Sequence, residues 1–357
     1  MSIIKRHGKQ NELYTFNMLV NTSKITSLVT GGAGFIGSHV VNYLLKQEHT
    51  VVVLDDLSGG NKENVNSAAL FHEGSILDVN LINDLFEEYT FSYVYHMAAY
   101  AAEGLSHFIR NFNYQNNLIG SINLINASVN HNVKCFVFTS SLAVYGSNTL
   151  PLKETQHPKP EDPYGIAKYA VELDLINARK MFGLDYIIFR PHNVYGKHQN
   201  IGDKYRNVVG IFMNQILKNK PLTIFGNGEQ TRAFTHIDDV APYIAHSVSI
   251  PNARNSIFNI GSDTVYSVKE LAIAVSNAMQ SEIEIKQLIK REEMIHAYAN
   301  HKKFDSVFNP QQHVSLEYGL SEMAKWVKTL GASFNEEFQN IEITKKLPES
   351  WIKLSKE

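Results

Sequence analysis

The chain has 357 residues, 44% of them hydrophobic, which is enough to bury a substantial core in one large domain or two unequal ones. Its 33 basic and 35 acidic side chains leave a formal charge of −2 with no long block of either sign, giving no reason to expect nucleic acid as a partner. The single cysteine, Cys135, rules out an intrachain disulfide and argues against a thiolate metal cluster; the fifteen histidines show no paired ligand spacing, so no metal is inferred.

Residues 1–24 are mixed and polar, without the apolar core of roughly 7–15 residues that a signal peptide carries, and read as an N-terminal extension. No later stretch reaches the roughly 18 uninterrupted apolar residues of a membrane span, so the expected location is cytoplasmic. ITSLVT at 25–30 is compact and partly β-branched. It runs into GGAGFIG and then into the apolar-patterned SHVVNYLLKQ, which predicts a strand, a glycine turn and a helix. TVVVLDD at 50–56 is nearly all β-branched and lacks alternation, as expected of a parallel strand buried on both faces. YVYHMA at 93–98, KCFVFTS at 134–140, LDYIIFR at 184–190 and SIFNIG at 256–261 are further strands, with helices around 111–129 and 163–181 between them. This alternation predicts an α/β fold, a Rossmann-type doubly wound parallel sheet whose functional loops follow the strand C-termini. After Arg190 the alternation loosens. NVVGIFMNQILKN reads as helical, PLTIFGNGEQTRAF contains a strand-like piece and a turn, and SLEYGLSEMAKWVKTL has the pattern of a packed amphipathic helix.

Gly31, Gly34 and Gly37 form GxxGxxG between the first strand and helix. Small residues there let the turn bend and the backbone approach a pyrophosphate, which then faces the helix N-terminus. About 20 residues on, the second strand ends in Asp55 and Asp56; a carboxylate there accepts bonds from ribose hydroxyls and repels a 2′-phosphate, favouring NAD over NADP. Gly74-Ser75-Ile76 and His96-Met97-Ala98-Ala99-Tyr100 are strand ends that can complete the pocket, the two alanines permitting close passage of a cofactor. The division expected is an NAD-binding domain over 25–190 and a smaller, mainly substrate-binding domain over 191–340, with a segment near 238–262 returning to the sheet. Residues 341–357 form a tail.

Tyr164 and Lys168 occur as YGIAK at the start of a helix, where a spacing of four puts both on one face. A lysine ammonium favours phenolate and is expected to draw the tyrosine pKa down toward working pH. Ser141, at the end of KCFVFTSS, falls at the same sheet edge. It can orient a substrate hydroxyl whose proton Tyr164 removes while the carbinol hydride points at a nicotinamide.

In this order, GGAGFIGSH, VVVLDDLS, HMAA, NLIGSINLINA, TSSLAVYG, PYGIAK, RPHNVYG, IFGNGEQTRAFTHIDDVA and FNIG resemble the extended short-chain dehydrogenase/reductase family over about residues 25–330. The likeness is to its nucleotide-sugar epimerase and dehydratase branch, and most to the UDP-glucose/UDP-galactose 4-epimerases. The resemblance implies NAD framed by the glycine turn with Phe35 and Ile36, by Asp55, Asp56, Ser75, Ile76, Met97, Ala98, Ala99 and Asn117, and by Tyr164, Lys168 and His192. It implies Ser141, Tyr164 and Lys168 as the catalytic set. Ser141, Asn193, Asn207, Val208 and Arg232 then face a nucleotide sugar, with Arg232 as the diphosphate clamp because a guanidinium matches paired phosphate oxygens. Dimers in the family form through helices matching 111–129 and 163–181, so a homodimer is expected.

The family's 4,6-dehydratases carry an Asp-Glu pair directly after the catalytic hydroxyl residue, where this chain has Leu142 and Ala143. The reading that follows is a 4-epimerase, with UDP as the first expectation for the nucleotide: C4 is oxidised, the 4-keto sugar turns over, and hydride returns to the other face. An oxidoreductase that releases a keto sugar, a multistep epimerase acting at C3 or C5, and a non-catalytic NAD-binding interaction protein stand as alternatives. The loop YAAEGLSHFIRNFNYQ departs from the usual 4-epimerase pattern, offering Glu103, Ser106, His107 and Arg110. Ser75 stands where an aspartate is common near the adenine, and His192 where an aromatic is common near the nicotinamide.

Overall fold

In the computed structural model of the protein, which describes residues 24–348 apart from 204, 283, 290–294, 334–337 and 339, together with residue 351, seven parallel strands form one sheet. They are β1 (Thr26–Thr30), β2 (Thr50–Asp55), β3 (Leu70–Glu73), β4 (Tyr93–His96), β5 (Cys135–Thr139), β6 (Tyr186–Pro191) and β7 (Ser256–Ile260), in the spatial order β7-β6-β5-β4-β1-β2-β3. The central strands are continuous apolar runs because both faces are covered; Leu28, Val52, Val94, Phe136 and Ile188 look into one helical layer, and Val29, Val53, Tyr95, Val137 and Phe189 into the other. The strand order reverses at β1, which pairs with both β2 and β4. The loops that follow β1 and β4 therefore part to opposite sides and leave a crevice at their C-terminal ends.

Most strand limits fall within one to three residues of those read from the sequence. β3 is the strand that reading passes over: LFHE is short, lies at the sheet edge, and has exposed ends, so it shows neither a buried run nor a clean alternation. Residues 1–23 of the expected extension lie outside the described residues, as do 349–350 and 352–357 of the tail.

The helix that bears Tyr164 and Lys168, here α4 after α1 (Phe35–Lys46), α2 (Val79–Glu88) and α3 (Arg110–Asn130, with a π turn at Gln115–Ile119), runs Pro163–Phe182. Its limits are local chemistry. The Asp162 carboxylate accepts the N–H of Gly165 at 2.9 Å, Pro163 opens the first turn, and Gly183 at φ 83° closes the last in a left-handed cap that residues with a Cβ adopt at a cost.

A second lobe packs helices Val208–Leu217, Val268–Met279 and Leu316–Leu330 around Phe212, Met213, Leu271, Val275, Leu320 and Met323. β7 pairs with β6 in the main sheet although it follows most of the second lobe's strands in the chain. Between α4 and β6 lies a wholly buried ion pair: Arg190 Nε donates to Glu172 Oε1 at 2.9 Å and Nη2 to Oε2, while Ser140 Oγ donates to Glu172 Oε1. Removing one member of a buried pair leaves an uncompensated charge. Arg190→Met should cost about 3–5 kcal/mol in urea unfolding, and the Arg190→Met/Glu172→Leu double variant should recover most of that loss.

Candidate active site

The crevice holds a cavity of about 440 Å³ with Gly31, Asp55, Ala98, Ser141, Tyr164, His192 and Asn207 on its walls. Its floor is nearly bare backbone. A Cβ on Gly31, whose φ is +70°, would come within 2.6 Å of the Ala98 nitrogen, and one on Gly37 within 2.0 Å of the Gly31 carbonyl oxygen. No side chain fits in either place, so the start of α1 presents its N–H groups at close range, the arrangement that suits a pyrophosphate. Phe35, Ile36 and Gly34 line the same wall, and Asp55 and Asp56 stand at its far end. The Asp55 carboxylate accepts the N–H of Ala33 at 2.9 Å and of Leu57 at 2.8 Å, leaving lone pairs for a ribose diol; burial pushes its pKa up, and those N–H groups oppose the rise. Ile76, Met97, Ala98 and Ala99 complete this half. The residues present thus fit a dinucleotide.

Ser75 and Asn117 do not line the cavity. The Ser75 hydroxyl accepts the Leu77 N–H at 3.2 Å, holding its own turn. Asn117 is buried behind the wall, with Oδ1 accepting the Tyr100 N–H at 2.9 Å and Nδ2 donating to the Tyr100 carbonyl at 3.1 Å. It shapes the loop after β4 from outside.

Ser141, Tyr164 and Lys168 meet where the β5 turn touches α4. The contact depends on Gly165: a Cβ there would lie 2.6 Å from the Ala143 carbonyl oxygen, so only glycine lets the helix start approach the serine turn this closely. Ser141 Oγ accepts the Ala143 N–H at 3.1 Å, and its hydroxyl bonds to Tyr164. The expectation that Lys168 draws the tyrosine pKa down is corrected here. Burial pushes the Tyr164 hydroxyl well above its ordinary value; the Ser141 bond opposes this, Glu103 and Asp162 add to it, and Arg206 opposes it. Lys168 instead donates to the Thr139 carbonyl at 2.9 Å, its Nζ 5.8 Å from the Tyr164 ring centre and 4.7 Å from that of Phe138. Burial brings its own pKa down to about 7, against the pull of Glu172. For both groups the missing water outweighs the neighbouring charges.

On the opposite wall, Asn193 and Asn207 are both in the left-handed region, at φ 41° and 60°, and both line the cavity. Asn193 Nδ2 donates to the Ala233 carbonyl at 3.0 Å, whereas Asn207 precedes its helix without a capping bond from its side chain. Val208 is not in the lining and packs against the second-lobe core. Neither is Arg232, whose Nη1 donates to the carbonyls of Thr231 at 2.8 Å and Ile295 at 3.1 Å along its own small sheet.

His192 lines the cavity with both ring nitrogens engaged, Nδ1 donating to the Ala233 carbonyl at 3.1 Å and Nε2 lying 3.1 Å from Nε2 of His301. His301 Nδ1 is 2.6 Å from the Asp263 carboxylate. Both Nδ1 atoms face pure acceptors, so a bond between the Nε2 atoms takes one further proton on the pair. Burial lowers His192 to about 3, and the neighbouring His301 ring adds to the fall.

The cavity also includes residues that the sequence reading leaves out. Gln199 is buried on the cavity wall with neither amide atom hydrogen-bonded among the described residues, which leaves both open to a bound group. Arg206 is held by Asp203 at 2.6 Å and lies 4.8 Å over the Tyr100 ring; Tyr100, Glu103, Phe112 and Tyr205 complete that wall. Of these, the sequence marks Tyr100 as a strand end beside the pocket and Glu103 through the loop's departure from the usual pattern.

Residues 27–261 match the profile described as the NAD dependent epimerase/dehydratase family, and the chain belongs to that family. The UDP-glucose 4-epimerase of Mycolicibacterium smegmatis is 35% identical over 260 residues, 71% of this chain and 82% of that one. Among solved structures, Thermotoga maritima UDP-glucose 4-epimerase with UDP-glucose superposes with a TM-score of 0.82 at 34% identity, covering 86% of this chain and 99% of that one. UDP-glucuronic acid 4-epimerase from Bacillus cereus, in complex with UDP-glucuronic acid and NAD, gives 0.79 at 28% identity over 86% of this chain and all of that one.

The depressed Lys168 has a consequence for stability. Between its folded value of about 7 and its ordinary value of 10.5, the unfolded chain binds a proton that the folded protein does not, so stability rises with pH across that window. Urea unfolding of cofactor-stripped protein at pH 7, 8 and 9 should show this rise, and it should be smaller in Lys168→Met. Tyr164 acts in the opposite direction only above its ordinary value of 10.0.

Proposed function

We propose that the protein is an NAD-dependent 4-epimerase of a UDP-linked hexose, with Ser141, Tyr164 and Lys168 as its catalytic residues. One observation carries this reading. The three side chains line one cavity beside the glycine turn, while Leu142 and Ala143, at the positions where a dehydratase needs an acid and a base, are apolar and buried. NAD, when bound, would supply the acceptor for the C4 hydride of the sugar and the source of its return. Gly31, Gly34, Phe35, Ile36, Gly37, Asp55, Asp56, Ile76, Met97, Ala98 and Ala99 hold the cofactor, and His192 flanks it. Tyr164 removes the O4 proton, Ser141 aligns that hydroxyl, and Lys168 in its charged form offsets the cost of a buried phenolate. After the 4-keto sugar has presented its other face, Tyr164 returns the proton. Asn193, Asn207 and Gln199 offer amide bonds to the nucleotide sugar, and Arg206 is better placed than Arg232 to meet its diphosphate.

The protein is further proposed to be a homodimer. Ile166, Leu173 and Ile176 recur on one face of α4 at 40%, 50% and 41% exposure, and Ile119 of α3 is 43% exposed. Sedimentation equilibrium should return twice the chain mass, and Leu173→Lys should shift it toward monomer.

Incubation of the NAD-loaded protein with UDP, dTDP, GDP and CDP sugars in deuterated water, followed by NMR, should yield one C4 epimer with no ring deuterium and no net NADH. Deuterium at C3 or C5, or an accumulating keto sugar, would reject simple 4-epimerisation and move attention to Glu103, whose charge already acts on Tyr164. Tyr164→Phe should lower kcat by roughly 10²–10⁴-fold while calorimetry finds UDP affinity unchanged.

A further inference from the structure

Two stretches remain without a role in that mechanism: the altered loop at 100–115 and the C-terminal segment that contains LPESW at 347–351. They are in contact. Helix α3 begins after Ile109, which has no side-chain acceptor and cannot cap it. The first N–H groups of a helix need an outside partner. Glu342 supplies it from 231 positions along the chain, its carboxylate accepting the N–H of Asn111 at 2.7 Å and of Phe112 at 2.8 Å. The backbone N–H groups of Glu342 and Ile343 donate to the Phe108 carbonyl at 2.8 and 3.1 Å. A carboxylate at a helix N-terminus also meets the positive end of the helix dipole.

Aromatic packing extends the same contact on both sides. The Phe338 ring is 5.4 Å from that of Tyr100 and 4.9 Å from that of Phe112. Trp351, only 6% exposed, packs edge-on to Phe108 at 6.0 Å and to Tyr205 at 5.1 Å, and a Cβ on Gly104 would lie 3.5 Å from its ring. Tyr100, Gly104, Phe112 and Tyr205 line the cavity on their other side. Phe108 belongs to the loop after β4 and Tyr205 to the loop before the second-lobe helix Val208–Leu217, so Trp351 joins the two halves of one wall.

We infer that the C-terminal segment is a strap that positions the sugar-facing wall, with Trp351 and Glu342 as positioning residues for the nucleotide sugar. This rests on the nucleotide-sugar reading. Among the described residues, the strap's hydrogen bonds and ring contacts given above fall on the wall and not on the residues assigned to NAD. Its loss therefore separates substrate affinity from cofactor affinity, which a general loss of folding would not do.

The test uses the full-length protein with Trp351→Ala and, as a milder change at an exposed side chain, Glu342→Ala; Trp351→Phe is the conservative control. KM for UDP-glucose should rise at least tenfold in Trp351→Ala and severalfold in Glu342→Ala. Over the same variants kcat should change less than threefold and NAD affinity less than twofold, and Trp351→Phe should return KM to near the wild-type value. Amide hydrogen exchange should speed up at 100–112 and 205–206 and stay unchanged at the glycine turn. An unchanged KM, or a proportional fall of kcat, NAD affinity and folded fraction together, would overturn the inference. Should the wild-type protein neither bind UDP nor turn over UDP-glucose, the functional reading fails. Unaltered exchange at 100–112 in Trp351→Ala then still refutes the strap, and accelerated exchange there upholds its hold on the wall.

Discussion

The buried carboxylate of Glu172 joins the three elements around Ser141, Tyr164 and Lys168. It lies one helical turn beyond Lys168 on α4, accepts the Ser140 hydroxyl next to Ser141, and pairs with Arg190 two residues before His192. Arg190 in turn stacks 4.6 Å over the Tyr145 ring, and the Tyr145 hydroxyl donates to Asn259 on β7 at 2.8 Å. A buried ion pair is weak evidence for net stability, because desolvation offsets much of its attraction. What it supplies here is registry. With no water to take over its bonds, Glu172 ties α4, the end of β5 and β6 to one relative position, and the apolar contacts of the sheet then pack around that arrangement.

From that arrangement follows the electrostatic character of the site. Tyr164 and Lys168 are both buried, and burial moves each toward its neutral form, the tyrosine up and the lysine down. Both side chains are thus held out of water, where a ligand's own charges count for more than they would in solution. The cofactor half needs little adjustment, since its floor is backbone packed too closely for side chains. The opposite wall is made of longer pieces: a loop after β4, the loop before the second-lobe helix Val208–Leu217, and the C-terminal segment behind both.

Local features of the chain were legible where one short segment both names the residue and sets its direction. GGAGFIG, the aspartates after β2 and YGIAK each combine a turn or helix start with its functional side chain, so spacing alone brings them to the C-terminal edge of the sheet. The short edge strand LFHE was not legible, because exposure at its ends erases the pattern. Nor was the direction of the Tyr164 shift, since a four-residue spacing reports proximity and says nothing of desolvation. Arg232 shows the same limit: its motif names a residue, but its guanidinium turns to the carbonyls of Thr231 and Ile295.

Taken by itself, then, the sequence determined the parallel sheet, the glycine turn, the acidic end of β2 and the placing of Tyr164 and Lys168 on one helix face, all of which follow from periodicity and near neighbours. Tertiary structure alone decided which other side chains share the cavity. Gln199 with its unpaired amide, Arg206 on Tyr100, the His192–His301–Asp263 chain and the cap of α3 by Glu342 each depend on segments far apart in the chain. Their partners are chosen by packing, and packing over such separations leaves no period or spacing in the sequence to be read.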